Sequence, residues 1–188
     1  MEIGGRIDAA GKIIEPARLD RSAAEGWLDR GVRSAAVVLM HGPLAPGEER
    51  RIGEELLELG FRHVTLGHEA CPSRGFTARL QTSLADAALS PLLPRDPGLY
   101  MRSDGGLAEA ADVDWRGCHA VLSGPAGGAV AVSALAREEG WKAAFGLDMG
   151  GTSSDVCHFK GEVLRSDFLE VNGWRIRAPA VQIETVAA

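Results

Sequence analysis

Three cysteines, one tyrosine and an aromatic share of 5% leave this chain short of the residues that staple small domains or hold prosthetic groups. Cys71, Cys118 and Cys157 are odd in number and far apart. That excludes a disulfide framework or a CxxC zinc site and reads as reduced thiols. The five histidines form no HxxxH pair, and His63 and His68 stand too far apart to share a helix face, so no zinc or haem site is expected. Positive charge is scarce as well: 20 Lys and Arg against 26 Asp and Glu give a net charge of −6, and Arg50-Arg51 sits beside Glu48-Glu49. A reader of phosphate backbones concentrates basic residues, so nucleic-acid binding is disfavoured. Residues 1–12 hold no apolar signal core. The uncharged stretch 118–136 approaches bilayer length, but Ser123-Gly124-Pro125-Ala126-Gly127-Gly128 would interrupt a lipid-exposed helix. The expectation is a soluble, cytoplasmic chain with no membrane partner.

What is abundant is glycine, with 24 in 188 residues, nearly twice the average of about 7%. An apolar share of 45% and a charged share of 24% suit a globular core. Residues 3–15 pattern as a short β pair turned at Ala10-Gly11, and 20–29 as a helix with Ala23, Ala24, Trp27 and Leu28 on one side and Gly31 as its stop. Ala35-Ala36-Val37-Val38-Leu39-Met40 is a continuous apolar run, the mark of a strand buried on both faces of a parallel sheet. Pro46 opens a helix whose apolar face is Ile52, Leu56, Leu57 and Leu59 and which Gly60 ends; a strand follows at 63–66. Strand, helix and strand in alternation predict an α/β layer architecture.

Phe76, Leu80, Leu84, Ala87 and Ala88 continue at helical spacing until Pro91 and Pro94. Residues 99–102 and 120–122 read as strands, and 129–139 as a helix with Val130, Ala134 and Leu135 inward. From residue 143 the pattern changes to strands separated by glycine turns at Gly150-Gly151, Lys160-Gly161 and Asn172-Gly173, the last a strong hairpin signal. Two domains are therefore expected, 1–142 and 143–188.

Three glycine clusters sit at strand ends. In Leu147-Asp148-Met149-Gly150-Gly151-Thr152-Ser153-Ser154-Asp155 a strand delivers an aspartate, two glycines turn, hydroxyls follow and a second aspartate opens the return strand. Glycines let backbone N–H groups approach a polyphosphate, and Thr152 and Ser153 add donors. Asp148 and Asp155 suit Mg²⁺, which takes one or two carboxylates and keeps several waters. Ser123-Gly124-Pro125-Ala126-Gly127-Gly128 leads into a helix, where Gly124, Gly127 and Gly128 serve either an anion at the helix start or close helix–strand packing. It lacks the lysine of GxxxxGK[ST] and does not fit GxGxxG. Arg102-Ser103-Asp104-Gly105-Gly106 is either a loop shaping a substrate cleft or a solvated turn.

In this order, the three clusters resemble the hydantoinase/oxoprolinase family, most closely its ATP-dependent 5-oxoprolinase branch. Arg6-Ile7-Asp8 with Leu19-Asp20, the run from Val37 to His41, the stretch from Thr82 to Pro91 and the ending Thr185-Val186-Ala187-Ala188 extend the match along nearly the whole chain. The resemblance implies a ribonuclease-H-like, actin-like ATPase fold in which two domains clamp nucleotide. Residues 1–142 would then be the end of the first domain, and the Asp148 hairpin would open the second. It implies ATP and Mg²⁺ as cofactors, with Asp148 and Asp155 as catalytic carboxylates, Asp148 on the metal directly or through water, and Gly150, Gly151, Thr152 and Ser153 as the phosphate cradle.

The reaction implied is opening of 5-oxoproline to glutamate, ATP activating the lactam oxygen before water enters. Neither Cys157 nor Ser123 is needed as a nucleophile. The partners implied are a small cyclic amide and the remainder of a larger polypeptide or a second hydantoinase-type subunit. The family's first D-x-GGT motif and its adenosine motif are absent from these residues, Ala88 stands where a tyrosine is usual, and residues 73–79 fit loosely. The chain therefore reads as an interior segment, inactive alone, with strand edges left open over 163–186. The alternatives are a hydantoinase, an acetone-carboxylase-like ATPase subunit, or a non-catalytic nucleotide-binding or assembly module.

Overall fold

The structure, a computed structural model, describes residues 1–112, 115–151 and 153–187, and of 153, 186 and 187 the backbone only. The first half runs β1 (Gly4–Ile7), β2 (Ile13–Arg18), α1 (Arg21–Asp29), β3 (Ser34–Val37), α2 (Pro46–Leu59), β4 (His63–Leu66), α3 (Gly67–Ala70) and α4 (Phe76–Leu89). The second runs β5 (Leu99–Met101), β6 (Leu107–Glu109), α5 (Gly117–Ala120), α6 (Ser123–Glu138), β7 (Ala144–Met149) and β8 (Ser153–Lys160). It closes with β9 (Glu162–Val163), β10 (Arg165–Ser166), β11 (Leu169–Val171), β12 (Trp174–Ile176), β13 (Ala180–Val181) and β14 (Ile183–Ala187). The mixed α/β composition is as expected. Two compact units form: Met1–Leu93 with Arg116–Cys118 and Asn172–Arg177, and Pro94–Trp115 with His119–Val171 and Ala178–Ala188. Compactness thus groups α6 with the Asp148 hairpin and divides the chain elsewhere than at 142/143.

In the first unit β3 and β4 pair in parallel, Ser34 opposite His63 through Val37 opposite Leu66, with α2 and α4 packed against them. Local chemistry sets the helix ends. Asp20 caps α1 by accepting from the Ala23 N–H at 3.0 Å. Gly60, at φ 114°, closes α2 in the left-handed conformation a side chain resists. The core joins Ala17, Ala24, Val37, Ile52, Leu56 and Phe61. Trp27 and Leu57, expected inward, are exposed.

The larger departure is α4. Its buried residues are Arg79, Thr82, Ser83, Asp86 and Ala87, while Leu84 is exposed. Asp86 accepts from Thr65 Oγ1 (2.8 Å), Ser90 Oγ (3.0 Å) and the Cys118 N–H (3.3 Å). Arg79 donates to the carbonyls of Ser73, Leu39 and Met40. Burial lowers its pKa, and the Glu49 charge opposes that shift. Glu49 is itself fully buried and accepts from the Leu39 N–H (2.9 Å) and from the His68 N–H and Nδ1 (both 2.7 Å). A polar stripe fits inside because each member is bonded to loops that have no regular partner.

In the second unit β14, β8 and β7 form an antiparallel sheet, β8 central and β9 added to it, with α6 packed on β7 and β8. The helix expected over 129–139 begins at Ser123, so the glycine cluster is helical and not a loop. The strand expected over 120–122 is absent: Ala120 ends α5, and the carbonyls of His119 and Val121 are taken by Ser103 Oγ, at 2.6 and 2.7 Å. Ala126, Ala129, Ser133 and Ala136 are the buried residues of α6, while Ala134 and Leu135 face solvent. The packing distance explains the choice of small residues. A Cβ on Gly146 of β7 would stand 2.6 Å from Val132 Cγ2, so helix and strand lie too close for larger side chains.

Candidate functional site

The β7–β8 register sets Leu147 opposite Val156, Asp148 opposite Asp155 and Met149 opposite Ser154, leaving residues 150–152 as the turn. Residues directly opposite in an antiparallel pair project to one face, so the two carboxylates stand side by side. On the other flank β14 sets Thr185 opposite Asp155, and Thr185 Oγ1 donates to Asp155 Oδ1 at 2.6 Å. Along the same face, away from the turn, Cys157 and Phe159 enter the core that α6 covers. The sheet face is thus apolar under the helix and acidic at its end.

A cavity of about 230 Å³ lies at that end, walled by Pro125, Gly128, Asp148 and Asp155 among others, with no basic side chain in its lining. This is smaller than the roughly 300–1,000 Å³ of pockets that enclose a whole drug-sized ligand, and suits a subsite. The helix end on its wall is unusual. Leu122, at φ 58° and ψ 25°, precedes α6 in the left-handed region, and no side chain caps the first turn. A Cβ added to Gly124 or Gly128 would meet nothing within 4 Å, and one on Gly127 would meet only Met101, at 3.8 Å. Close packing therefore does not require these glycines. They leave uncapped N–H groups and open space at the positive end of a 16-residue helix.

The site residues expected from sequence divide as follows. Asp148, Asp155 and Gly128 line one cavity. Gly124 and Gly127 lie in the first turns of α6 without lining it, and Gly150 and Gly151 occupy the exposed hairpin turn. Ser153 opens β8, and Thr152 lies outside the described residues. Sequence reasoning missed Pro125, Gly146 and Thr185. The alternation of Ile183, Thr185 and Ala187 against Gln182, Glu184 and Val186 was the available sign of the strand that brings Thr185 to Asp155. The Ser103 loop is neither a cleft wall nor a solvated turn: Ser103 is 1% exposed, and Gly105, at φ 80°, presses against Val130. Its bonds to residues 119 and 121 hold the approach to α6.

Two carboxylates side by side, with no cation among their neighbours on the wall, need a positive partner. The uncapped helix start beside them offers donors to an anion. Together they fit a divalent cation bridging to phosphate oxygens, and two carboxylates plus waters match Mg²⁺ better than zinc.

The sequence models for the hydantoinase/oxoprolinase N-terminal region and for hydantoinase/oxoprolinase match residues 1–60 and 76–188. The chain belongs to the hydantoinase/oxoprolinase family. Among curated members of that family, 5-oxoprolinase 1 of Arabidopsis thaliana is 39% identical over 87% of this chain, and the match spans 14% of the plant enzyme. The alpha subunit of a Pseudomonas jessenii caprolactamase is 31% identical over 99% of the chain and 30% of the subunit. The crystal structure of that ATP-dependent caprolactamase superposes with a TM-score of 0.76 at 30% identity, covering 98% of this chain and 29% of its own. Acetone carboxylase, in a nucleotide-free structure, superposes with a TM-score of 0.82 at 23% identity over 99% of this chain and 29% of its own, which is a likeness of fold. The chain thus spans a small part of the hydantoinase/oxoprolinase proteins it matches.

Proposed function

We propose that this chain is a segment of an ATP-dependent cyclic-amide hydrolase that opens 5-oxoproline to glutamate, and that the Asp148 hairpin and the start of α6 form its phosphate–magnesium subsite. The observation that carries the proposal is the cavity in which Asp148 and Asp155 meet Gly128 and Pro125 without a basic side chain. ATP, when bound, would supply the phosphoryl group that activates the ring amide. Asp148 and Asp155 would hold Mg²⁺ or its waters, and Thr185 would keep the Asp155 carboxylate turned by its hydrogen bond. Gly150, Gly151, Thr152 and Ser153 would cradle phosphate from the hairpin, and Gly124, Gly127 and Gly128 from the helix. In this reading the hairpin opens the second domain of a ribonuclease-H-like, actin-like clamp whose boundary falls near residue 143. The rest of the parent polypeptide, or a second subunit, would supply the adenosine and amide sites.

The 5-oxoprolinase relatives support that substrate. The resemblance to acetone carboxylase keeps a carboxylation reading in play on the same subsite, because the cavity walls contact phosphate and not the second substrate. Three buried free cysteines support a reducing, cytoplasmic setting. No described helix is long and apolar enough to cross a membrane.

The test is an amide-resolved NMR titration of the chain with Mg·ATP. The proposal expects shifts at Asp148, Gly150, Gly151, Ser123, Gly124 and Gly128, lost in Asp148→Asn, and no phosphate release by the isolated chain. Shifts confined to other residues would remove the subsite, and steady phosphate release would remove the reading as a dependent segment.

A further inference from the structure

The first unit contains a sheet that is covered above and below but not at its side. Among the described residues β3 pairs with β4 alone, although α2 and α4 pack against the pair and Val37 is 1% exposed. Parallel strands are stable inside larger, fully covered sheets, and two strands are fewer than a sheet needs to hold itself. The Arg33 carbonyl accepts from the Arg62 and His63 N–H groups, at 2.8 and 3.3 Å. Backbone groups alternate along a strand, so Ala35 and Val37 turn their N–H and C=O toward β4, and Ala36 and Val38 turn theirs away.

On that outward side lies a groove of about 750 Å³. Ala36, Val38, Leu39 and Met40 form one wall, β1 from Gly4 to Ile7 forms another, and Phe76 and Leu80 of α4 contribute apolar side chains. β1 is itself paired only with β2. Unpaired strand groups beside an apolar groove recruit another strand, because that bonds the backbone and buries alternate side chains in one step.

We infer that this groove is the seat of one extended apolar strand, supplied by polypeptide outside these 188 residues, pairing along Ala36 and Val38. The occupant follows from proportion. The caprolactamase chain reproduces 98% of this chain with 29% of its own length, so a relative embeds the same unit in more than twice as much further protein. The inference concerns the first unit and does not depend on nucleotide binding.

The test is amide hydrogen exchange on the 188-residue chain, with heptapeptides tiled across the part of the Pseudomonas jessenii caprolactamase alpha subunit that the chain does not match. In the chain alone, Ala36 and Val38 should exchange at least about tenfold faster than Ala35 and Val37. An extended apolar tile should remove that difference. Met40→Lys puts a charge on an exposed residue of the groove wall and should weaken the tile about tenfold while leaving Val37 protected. The inference is overturned if Ala36 and Val38 are already protected at low concentration, if protection grows with chain concentration alone, which would mean a second copy, or if no tile protects them.

Discussion

Helices α4 and α6 are alike in length and opposite in what they bury. α4 turns Arg79, Thr82, Ser83 and Asp86 inward and bonds them to loops, whereas α6 turns Ala126, Ala129, Ser133 and Ala136 inward and draws a sheet close. Neither buries a large aliphatic stripe, and Leu84 and Leu135 both stand in solvent. The difference teaches that the two helices do different work. α4 organises irregular backbone by satisfying it, so its unit depends on individual hydrogen bonds. α6 holds its sheet at a short distance and leaves its own glycine-rich start clear, so its unit can offer a site at one end.

The comparison breaks most sharply at Asp86. Asp86→Ala strands the donors of Thr65, Ser90 and Cys118 in a buried place, and we expect a loss of about 3 kcal/mol or more in urea unfolding. Next is the close approach in the second unit. Gly146→Ala should lose about 1–3 kcal/mol, since the new methyl meets Val132 Cγ2 and Cys157 Sγ.

A pH dependence comes third. Burial, and after it the Asp86 charge, pushes the Cys118 thiol up. The folded chain then keeps a proton that the unfolded chain releases. This contribution is whole below the unfolded thiol value of about 8.5 and fades as pH rises beyond it, by up to about 1.4 kcal/mol per pH unit. Unfolding curves at pH 7.5 and 10 should show that Cys118→Ala has a smaller alkaline loss than wild type. The smallest effect is at the exposed leucines: Leu84→Ala and Leu135→Ala should each stay within about 0.5 kcal/mol, which sinks the apolar-stripe account of both helices if it holds.

Some of this was legible in the sequence. The continuous run 35–40, Pro46 and Gly60 encode a buried parallel strand followed by a bounded helix, because length, β-branching and end residues act locally. The face-to-face aspartates were legible too, since the glycine turn sets the register that pairs Asp148 with Asp155. The polar stripe of α4 was present at i, i+3, i+4 and i+7 in Arg79, Thr82, Ser83 and Asp86, but an apolar pattern at similar spacing competes with it. Only loops distant in sequence decide between them. The meeting of Gly128 with Asp148, and the need for glycine at 146, depend on how closely α6 lies on β7, which no local pattern reports.

The central claim is that Asp148 and Asp155 are paired for a cation and phosphate and not for the fold. Like charges opposite each other across strands repel, by about 0.2–1 kcal/mol. The direct measurement is Asp148→Asn, read by thermal melt without metal and by Mg·ATP affinity in calorimetry. We expect a melting temperature equal to or above wild type, together with an affinity at least about tenfold weaker. A variant that melts lower and binds Mg·ATP as wild type does would contradict the account, making the hairpin carboxylates part of the scaffold.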